Sequence, residues 1–154
     1  MPPVAVTFTT VEPGPTAVVA QTTTWEEYPR LWGQLLGEVY SFVRSRSDLA
    51  TGEGGEQWQN VMLYKDQRPD VEVGVLVKTP FDPHGRVTAS ELPGGEVASA
   101  VHRGDYGGLG DTHAAVREAI EAQGREPSGP LWEIYGHARE DPSEQETEIF
   151  WLLR

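Results

Sequence analysis

The 154-residue sequence predicts an α+β domain made of two copies of a strand–strand–helix–strand–strand repeat, over about residues 1–79 and 86–154. Three observations predict this fold. A Pro-Gly dipeptide follows a β-type segment in each half, a stretch with helical apolar spacing comes next, and two further apolar segments close the half. Hydrophobic residues make up 38% of the chain, which is enough to build one core at this length.

Each half opens on two segments that favour β-strands, separated by a Pro-Gly turn. Residues 4–11 precede Pro13-Gly14, and residues 86–92 precede Pro93-Gly94. Proline and glycine together favour a tight turn. The pattern therefore predicts a β-hairpin at the start of each half. The second strands of these hairpins are residues 17–20 and 97–101.

A helix is predicted after the first hairpin. Thr24 followed by Glu27 fits the capping box that begins many helices. Pro29 is tolerated only in the first turn, so the helix begins near it or a few residues later. Apolar residues then recur at helical spacing and predict a buried face, with Trp32 in the core. That face consists of Trp32, Leu35, Leu36, Val39 and Val43.

The second half repeats this order. Its helix has an apolar side made of Leu109, Val116, Ala119 and Ile120. The helix is predicted to end at Gly124, since glycine readily adopts the left-handed conformation that follows a last turn, and Pro127 prevents continuation. Two more strands close each half, at residues 60–64 and 71–77 and at residues 131–135 and 147–153. Residues 51–56 are predicted as a flexible glycine-rich loop, and residues 79–85 join the halves.

Charge and composition exclude several function classes. The chain carries 24 acidic and 12 basic side chains, a net charge of −12. Binding to duplex DNA depends on Lys and Arg contacts to phosphate, so no nucleic-acid partner is expected. The chain has no cysteine, which excludes disulfides, thiolate catalysis and zinc sites built on sulfur.

Metal, cofactor and membrane roles find no support in the sequence. The four histidines include no pair at i and i+4 and no HExxH motif, so neither a metal nor another cofactor is expected. No basic residue precedes Arg30, so the N-terminus does not have the charged start of a signal peptide. No apolar run approaches the roughly 20 residues that cross a bilayer. The sequence is thus expected to belong to a cytoplasmic protein without a membrane partner.

Four segments in order resemble a known family over nearly the whole chain. They are residues 71–75 (VEVGV), 101–106 (VHRGDY, before the second helix), 129–135 (GPLWEIY) and 147–150 (TEIF). Together they resemble the GyrI-like small-molecule-binding domain, the effector-binding module of many bacterial transcription regulators. No room is left for a helix-turn-helix DNA reader, so the chain resembles a stand-alone member.

The resemblance implies a curved antiparallel sheet with two helices on one face and a ligand cleft on the other, between the repeats. It also implies amphipathic ligands, often planar or cationic, held by aromatic walls and a buried carboxylate. Some stand-alone relatives resemble hydrolases that open the cyclopropane of genotoxic natural products. Others are similar to gyrase modulators.

Strand alternation predicts which residues face this cleft. Val71 and Val73 are expected against the helices, as are Ile149 and Trp151, and Trp132 and Ile134 are expected to pack inward in the same way. The residues left for the cleft are Met62, Tyr64, Glu72, Glu133, Tyr135, Glu148 and Phe150. Tyr106 is read either as a cleft wall or as a wedge at the helix start, and Trp58 either as a mobile lid or as an ordinary aromatic.

A carboxylate among aromatic rings favours a flat cation, through charge pairing and cation–π contact. Sensing or sequestration of such a small molecule is the preferred function. The alternative is a hydrolase in which Glu148, Glu133 and Tyr135 activate water against an electrophile. A further alternative is a gyrase-modulating role through the acidic surface. For the glutamates, simple solvation on an exposed sheet face stays open as well.

Overall fold

The computed structural model describes residues 4–52, 58–137 and 139–154, and these form two α-helices and one eight-stranded antiparallel sheet. The helices are α1 (Tyr28–Val43) and α2 (Leu109–Ala122). The strands are β1 (Thr7–Val11), β2 (Gly14–Thr22), β3 (Asn60–Tyr64), β4 (Asp70–Leu76), β5 (Val87–Leu92), β6 (Gly95–Arg103), β7 (Pro127–Tyr135) and β8 (Glu146–Leu153). The predicted α+β class is confirmed. The predicted loop 51–56 lies outside the described residues from residue 53 onward.

The strand order is symmetric about the centre of the sheet. It runs β1-β6-β8-β7-β3-β4-β2-β5. If each of the strands β1–β4 is exchanged with its counterpart among β5–β8, the result is the same order read from the other end of the sheet. The centre of this symmetry lies between β3 and β7, which pair through Met62 and Glu133. From this order we expect the two repeats to superpose strand on strand, and this stays a prediction.

The two predicted hairpins are wrong, because the halves exchange their first strands. β1 pairs with β6 of the second half, and β5 pairs with β2 of the first. The short links at Pro13 and Pro93 therefore join opposite ends of the sheet, and two linking residues span at most about 11 Å. The sheet must curl until its ends meet, and Pro13 packs directly against Gly94 there.

The curl gives the sheet two buried faces. The outer face carries both helices, with Val39 of α1 and Val116 of α2 completely buried over it. The inner face encloses a separate apolar cluster that includes Val61, Val97 and Trp132. β3 and β7 are thus buried on both sides, so the apolar character of a residue does not tell the outer face of these strands from the inner one.

The helix ends follow the local sequence. The Thr24 hydroxyl accepts a hydrogen bond from the Glu27 backbone N–H at 3.1 Å in the turn before α1, and Pro29 occupies the first turn. After α2, Gly124 has φ +68°, as predicted for the residue that ends this helix. Trp32, however, is 41% exposed, so its predicted place in the core is wrong.

Within residues 4–52, 58–137 and 139–154, no helix combines the length and the apolar character needed to span a membrane.

Candidate functional site

A cavity of about 260 Å³ lies on the outer face of the sheet, over the junction of β3 and β7. It forms there because α1 packs mainly on β2, β4 and β5, and α2 packs mainly on β6, which leaves a gap over the central strand pair. Its lining residues are Tyr28, Trp32, Asn60, Met62, Tyr64, Tyr106, Leu109, Glu133 and Tyr135. The pocket therefore lies between the helices, on the face opposite to the one that the resemblance implied.

Glu133 is the charged group of this pocket. The residue is only 4% exposed, yet its carboxylate is fully hydrogen-bonded. Oε1 accepts from the Tyr135 hydroxyl at 2.6 Å and from the Tyr64 hydroxyl at 3.1 Å, and Oε2 lies 2.8 Å from Nε2 of His113. Hydrogen bonds to an anion offset part of the cost of burying it.

The tyrosines around Glu133 stay neutral. Burial raises the pKa of the Tyr64 and Tyr135 hydroxyls far above the ordinary value, and the negative charge of Glu133 raises the pKa of each further. Burial likewise raises the pKa of Tyr28, whose hydroxyl lies 2.9 Å from Met62 Sδ. At neutral pH these phenols therefore act as hydrogen-bond donors and carry no charge.

Two exposed aromatic rings frame the mouth of the pocket from opposite halves of the chain. Trp32 stands on α1, and Tyr106, 55% exposed, begins the short 3₁₀ turn before α2. The Tyr106 ring lies 5.4 Å from that of Tyr135. On the far side of Tyr64, the centre of the Trp25 ring lies 5.5 Å from that of the Tyr64 ring. The indole N–H of Trp25 donates a hydrogen bond to the Gln67 carbonyl oxygen. The entrance is thus apolar around a buried charge.

The predicted site residues divide between the two faces of the sheet. Met62, Tyr64, Glu133, Tyr135 and Tyr106 do meet in this pocket. The prediction that Glu72, Glu148 and Phe150 share their face is wrong. In the strand register each of these three pairs with a residue of the inner face, and strand partners lie on the same face of a sheet. Trp58 borders a neighbouring cavity, which shares Asn60 and Tyr135 with the pocket, and a lid role stays a prediction.

The misplaced glutamates have surroundings of their own. Glu72 is buried and pairs with Lys65 at 2.5 Å and with the Ser90 hydroxyl at 2.6 Å, so its charge is already compensated. Glu148 is exposed in a separate groove beside Phe150. Partial desolvation, together with the nearby Glu146, raises the pKa of the Glu148 carboxyl.

The error has a physical cause. Trp132 and Ile134 were assigned to the helix face because they are apolar, but the curled sheet buries both of them in its inner cluster. Glu133 consequently points outward, beside Met62 and Ile149 of the neighbouring strands. Apolarity identifies the helix face only where the other face is exposed to solvent.

Sequence reasoning missed several residues of the site. Tyr28, Asn60 and Leu109 line the pocket. His113 does not line it but is hydrogen-bonded to the Glu133 carboxylate. The signal for His113 was present, because positions 109, 113, 116 and 120 fall on one side of α2 at helical spacing. A histidine on the apolar side of a helix needs a buried hydrogen-bond partner, and Glu133 is that partner.

Comparisons with known proteins agree with this architecture. The EcmrR C-terminal domain is similar at 16% identity with a TM-score of 0.74, covering 98% of each chain. SAV2435 bound to tetraphenylphosphonium is similar at 12% identity and TM-score 0.69, covering 97% of this chain and 94% of that one. A hydrolase from Listeria innocua is similar at 14% identity and TM-score 0.63, covering 100% and 94%. At these identities the likeness shows the fold alone.

Sequence comparison gives the family directly. The search among curated proteins finds no match. Residues 5–154 match the GyrI-like small molecule binding domain, which is almost the whole chain. The family predicted from the four sequence segments is therefore confirmed, and the chain belongs to the GyrI-like small-molecule-binding domain family.

Proposed function

We propose that this domain binds an amphipathic, lipophilic cation in the pocket over Glu133, in order to sense or sequester it. One observation carries the proposal: Glu133 is a buried carboxylate held by three side-chain donors at the floor of an aromatic cavity. Within the described residues, no lysine or arginine pairs with Glu133 as Lys65 does with Glu72. The charge of Glu133 is solvated by the protein but not neutralised.

Such a pocket favours positive ligands for two reasons. A carboxylate in a low-dielectric site attracts a cation far more strongly than the same pair would in water. The aromatic walls add cation–π contact, because the faces of Tyr and Trp rings are electron-rich. Trp32 and Tyr106 at the mouth supply such faces. A cavity of about 260 Å³ accepts part of a drug-sized molecule, so the rest of the ligand would lie against these rings.

The related fold of SAV2435, which holds tetraphenylphosphonium, supports a cation as the ligand and supplies a probe. Tetraphenylphosphonium and tetraphenylborate have nearly the same shape and opposite charge. Calorimetric titration with both ions therefore separates the effect of charge from that of shape. We expect the wild-type protein to bind the phosphonium and to bind the borate much more weakly.

Replacing Glu133 with glutamine should remove this preference. The amide keeps the size of the side chain but not its charge, so phosphonium binding should weaken by about 1–3 kcal/mol, or about 5–150-fold in Kd. Glu148→Gln is the matched control, because Glu148 lies in a separate groove and its loss should change neither affinity. Equal binding of both ions by the wild type, or an effect of Glu148→Gln as large as that of Glu133→Gln, would contradict the proposal.

A hydrolase is the second candidate function. The Tyr135 hydroxyl lies 2.6 Å from Glu133, so the pocket pairs a potential general base with a potential proton donor, and a Listeria innocua hydrolase has a similar fold. In that case Glu133→Gln should lower turnover of a cyclopropane-containing electrophile while leaving its binding intact. A product assay beside the titration separates the two functions. Gyrase modulation and a cytoplasmic location stay predictions.

A further inference from the structure

We propose that Trp151, acting through His113, keeps the Glu133 pocket negatively charged and so determines its preference for cations. The inference rests on the proposed function, because it explains how the charge of that site is maintained. Trp151 lies on β8 and does not line the pocket. It is thus a positioning residue, which acts on the ligand site only through the histidine behind Glu133.

The hydrogen bonds determine the protonation of His113. The indole Nε1–H of Trp151 can only donate, and it lies 3.0 Å from Nδ1 of His113. Nδ1 must therefore present its lone pair, and the single ring proton resides on Nε2. That nitrogen lies 2.8 Å from Oε2 of Glu133 and donates to it. His113 is thus a neutral imidazole between a donor and an acceptor.

Without Trp151 the same histidine would be drawn into a different state. A histidine beside a buried carboxylate gains from becoming an imidazolium, because the two opposite charges attract. The second proton would have to reside on Nδ1, where it would point at the indole N–H. Two donors would then face each other with no acceptor between them, so the contact with Trp151 disfavours the charged form of His113.

The consequence for the pocket is a difference of one whole charge. Tyr64 and Tyr135, the other two partners of Glu133, stay protonated. With His113 neutral, the group around Glu133 carries a charge of −1, which is available to an incoming cation. With His113 protonated, Glu133 would already have its counter-ion, and the pocket would be neutral. A ligand cation would then gain only the aromatic contacts.

Trp151→Phe tests the proposal, since phenylalanine keeps an aromatic ring and removes the donor. We expect its Kd for tetraphenylphosphonium at neutral pH to rise about tenfold or more, with a smaller change for tetraphenylborate. In the double variant Trp151→Phe/His113→Gln, glutamine offers Glu133 a neutral N–H donor that cannot become cationic. The cation preference should return in this variant, whereas a purely structural defect at position 151 would persist.

Trp132→Phe is the matched control, because Trp132 is a buried indole on the inner face of the sheet and should not affect the preference. A second readout needs no ligand. Nitrogen-15 spectra of the wild-type imidazole should show His113 protonated on Nε2 alone, and spectra of Trp151→Phe should show protons on both ring nitrogens. The wild-type spectrum tests the inference even if Trp151→Phe folds poorly.

The two proposals can fail separately. If Glu133→Gln abolishes the preference for phosphonium but Trp151→Phe does not, the function stands and the role of Trp151 is wrong. A wild-type His113 protonated on both nitrogens, or no recovery in the double variant, also overturns the role of Trp151. If the wild type does not distinguish phosphonium from borate, the proposed function itself fails, while the spectra still report the state of His113.

Discussion

Replacing Gly74 with alanine should lower the free energy of unfolding by about 3 kcal/mol or more, because no space exists for one methyl group. A Cβ atom at this position would lie 1.8 Å from the carbonyl oxygen of Ala17 and 2.8 Å from Cα of Val18. Both are backbone atoms of β2, the strand that pairs with β4 here. They cannot move aside without disturbing the sheet where it curls.

Gly37→Ala is the matched control in α1. Nothing lies within 4 Å of a Cβ atom at this exposed helical position. Alanine favours a helix over glycine, so this substitution should raise the free energy of unfolding by about 0.5–1 kcal/mol. Urea unfolding of both variants measures the difference. Equal changes in the two proteins would show that the close approach of β2 to Gly74 is not a feature of the molecule.

Trp132→Ala should also cost about 3–5 kcal/mol of stability, as expected for removing a large, fully buried ring. Trp132 is 2% exposed and stacks on Phe150, with ring centres 5.6 Å apart and planes inclined by 13°. Val61 and Leu63 belong to the same inner cluster. The substitution would leave a cavity inside the curl, where paired strands on every side limit collapse.

Trp32→Ala provides the comparison for this second prediction. Because Trp32 is 41% exposed on α1, its removal should cost only about 1 kcal/mol of stability. Phosphonium binding should nevertheless weaken, since Trp32 lines the pocket. Thermal unfolding and titration of both variants test this separation. A larger loss of stability in Trp32→Ala than in Trp132→Ala would mean that the sequence-based placement of Trp32 in the core was right after all.

Local signals in the sequence were sufficient for the elements and the family. β3 occupies residues 60–64 as predicted, and Gly124 ends α2 as predicted. These features depend on neighbours a few residues away, such as helical spacing or the freedom of glycine to adopt positive φ. Glu133 and Tyr135 were likewise assigned to one face correctly, because residues two apart on a strand always share a face.

Two other features were decided by partners far away in the chain. The Pro-Gly turns are real breaks between strands, but whether the strands beside a turn pair with each other depends on the rest of the sheet. Here β1 pairs with the free edge of β6, and β5 pairs with the free edge of β2, so the first strands of the halves are exchanged. A turn residue specifies local backbone geometry and contains no information about a strand in the other half of the chain.

By itself, then, the sequence determined the strands, the helices, the family and the pairs of residues that lie on a common face of one strand. Only the tertiary structure decided which residues of neighbouring strands lie on the same side of the sheet. The reason is that the curl buries both sides of β3 and β7, so the apolar residues Trp132 and Met62 lie in different cores although both are buried. Packing across the whole sheet put Glu133 on the outer face, where His113 and Trp151 could reach it.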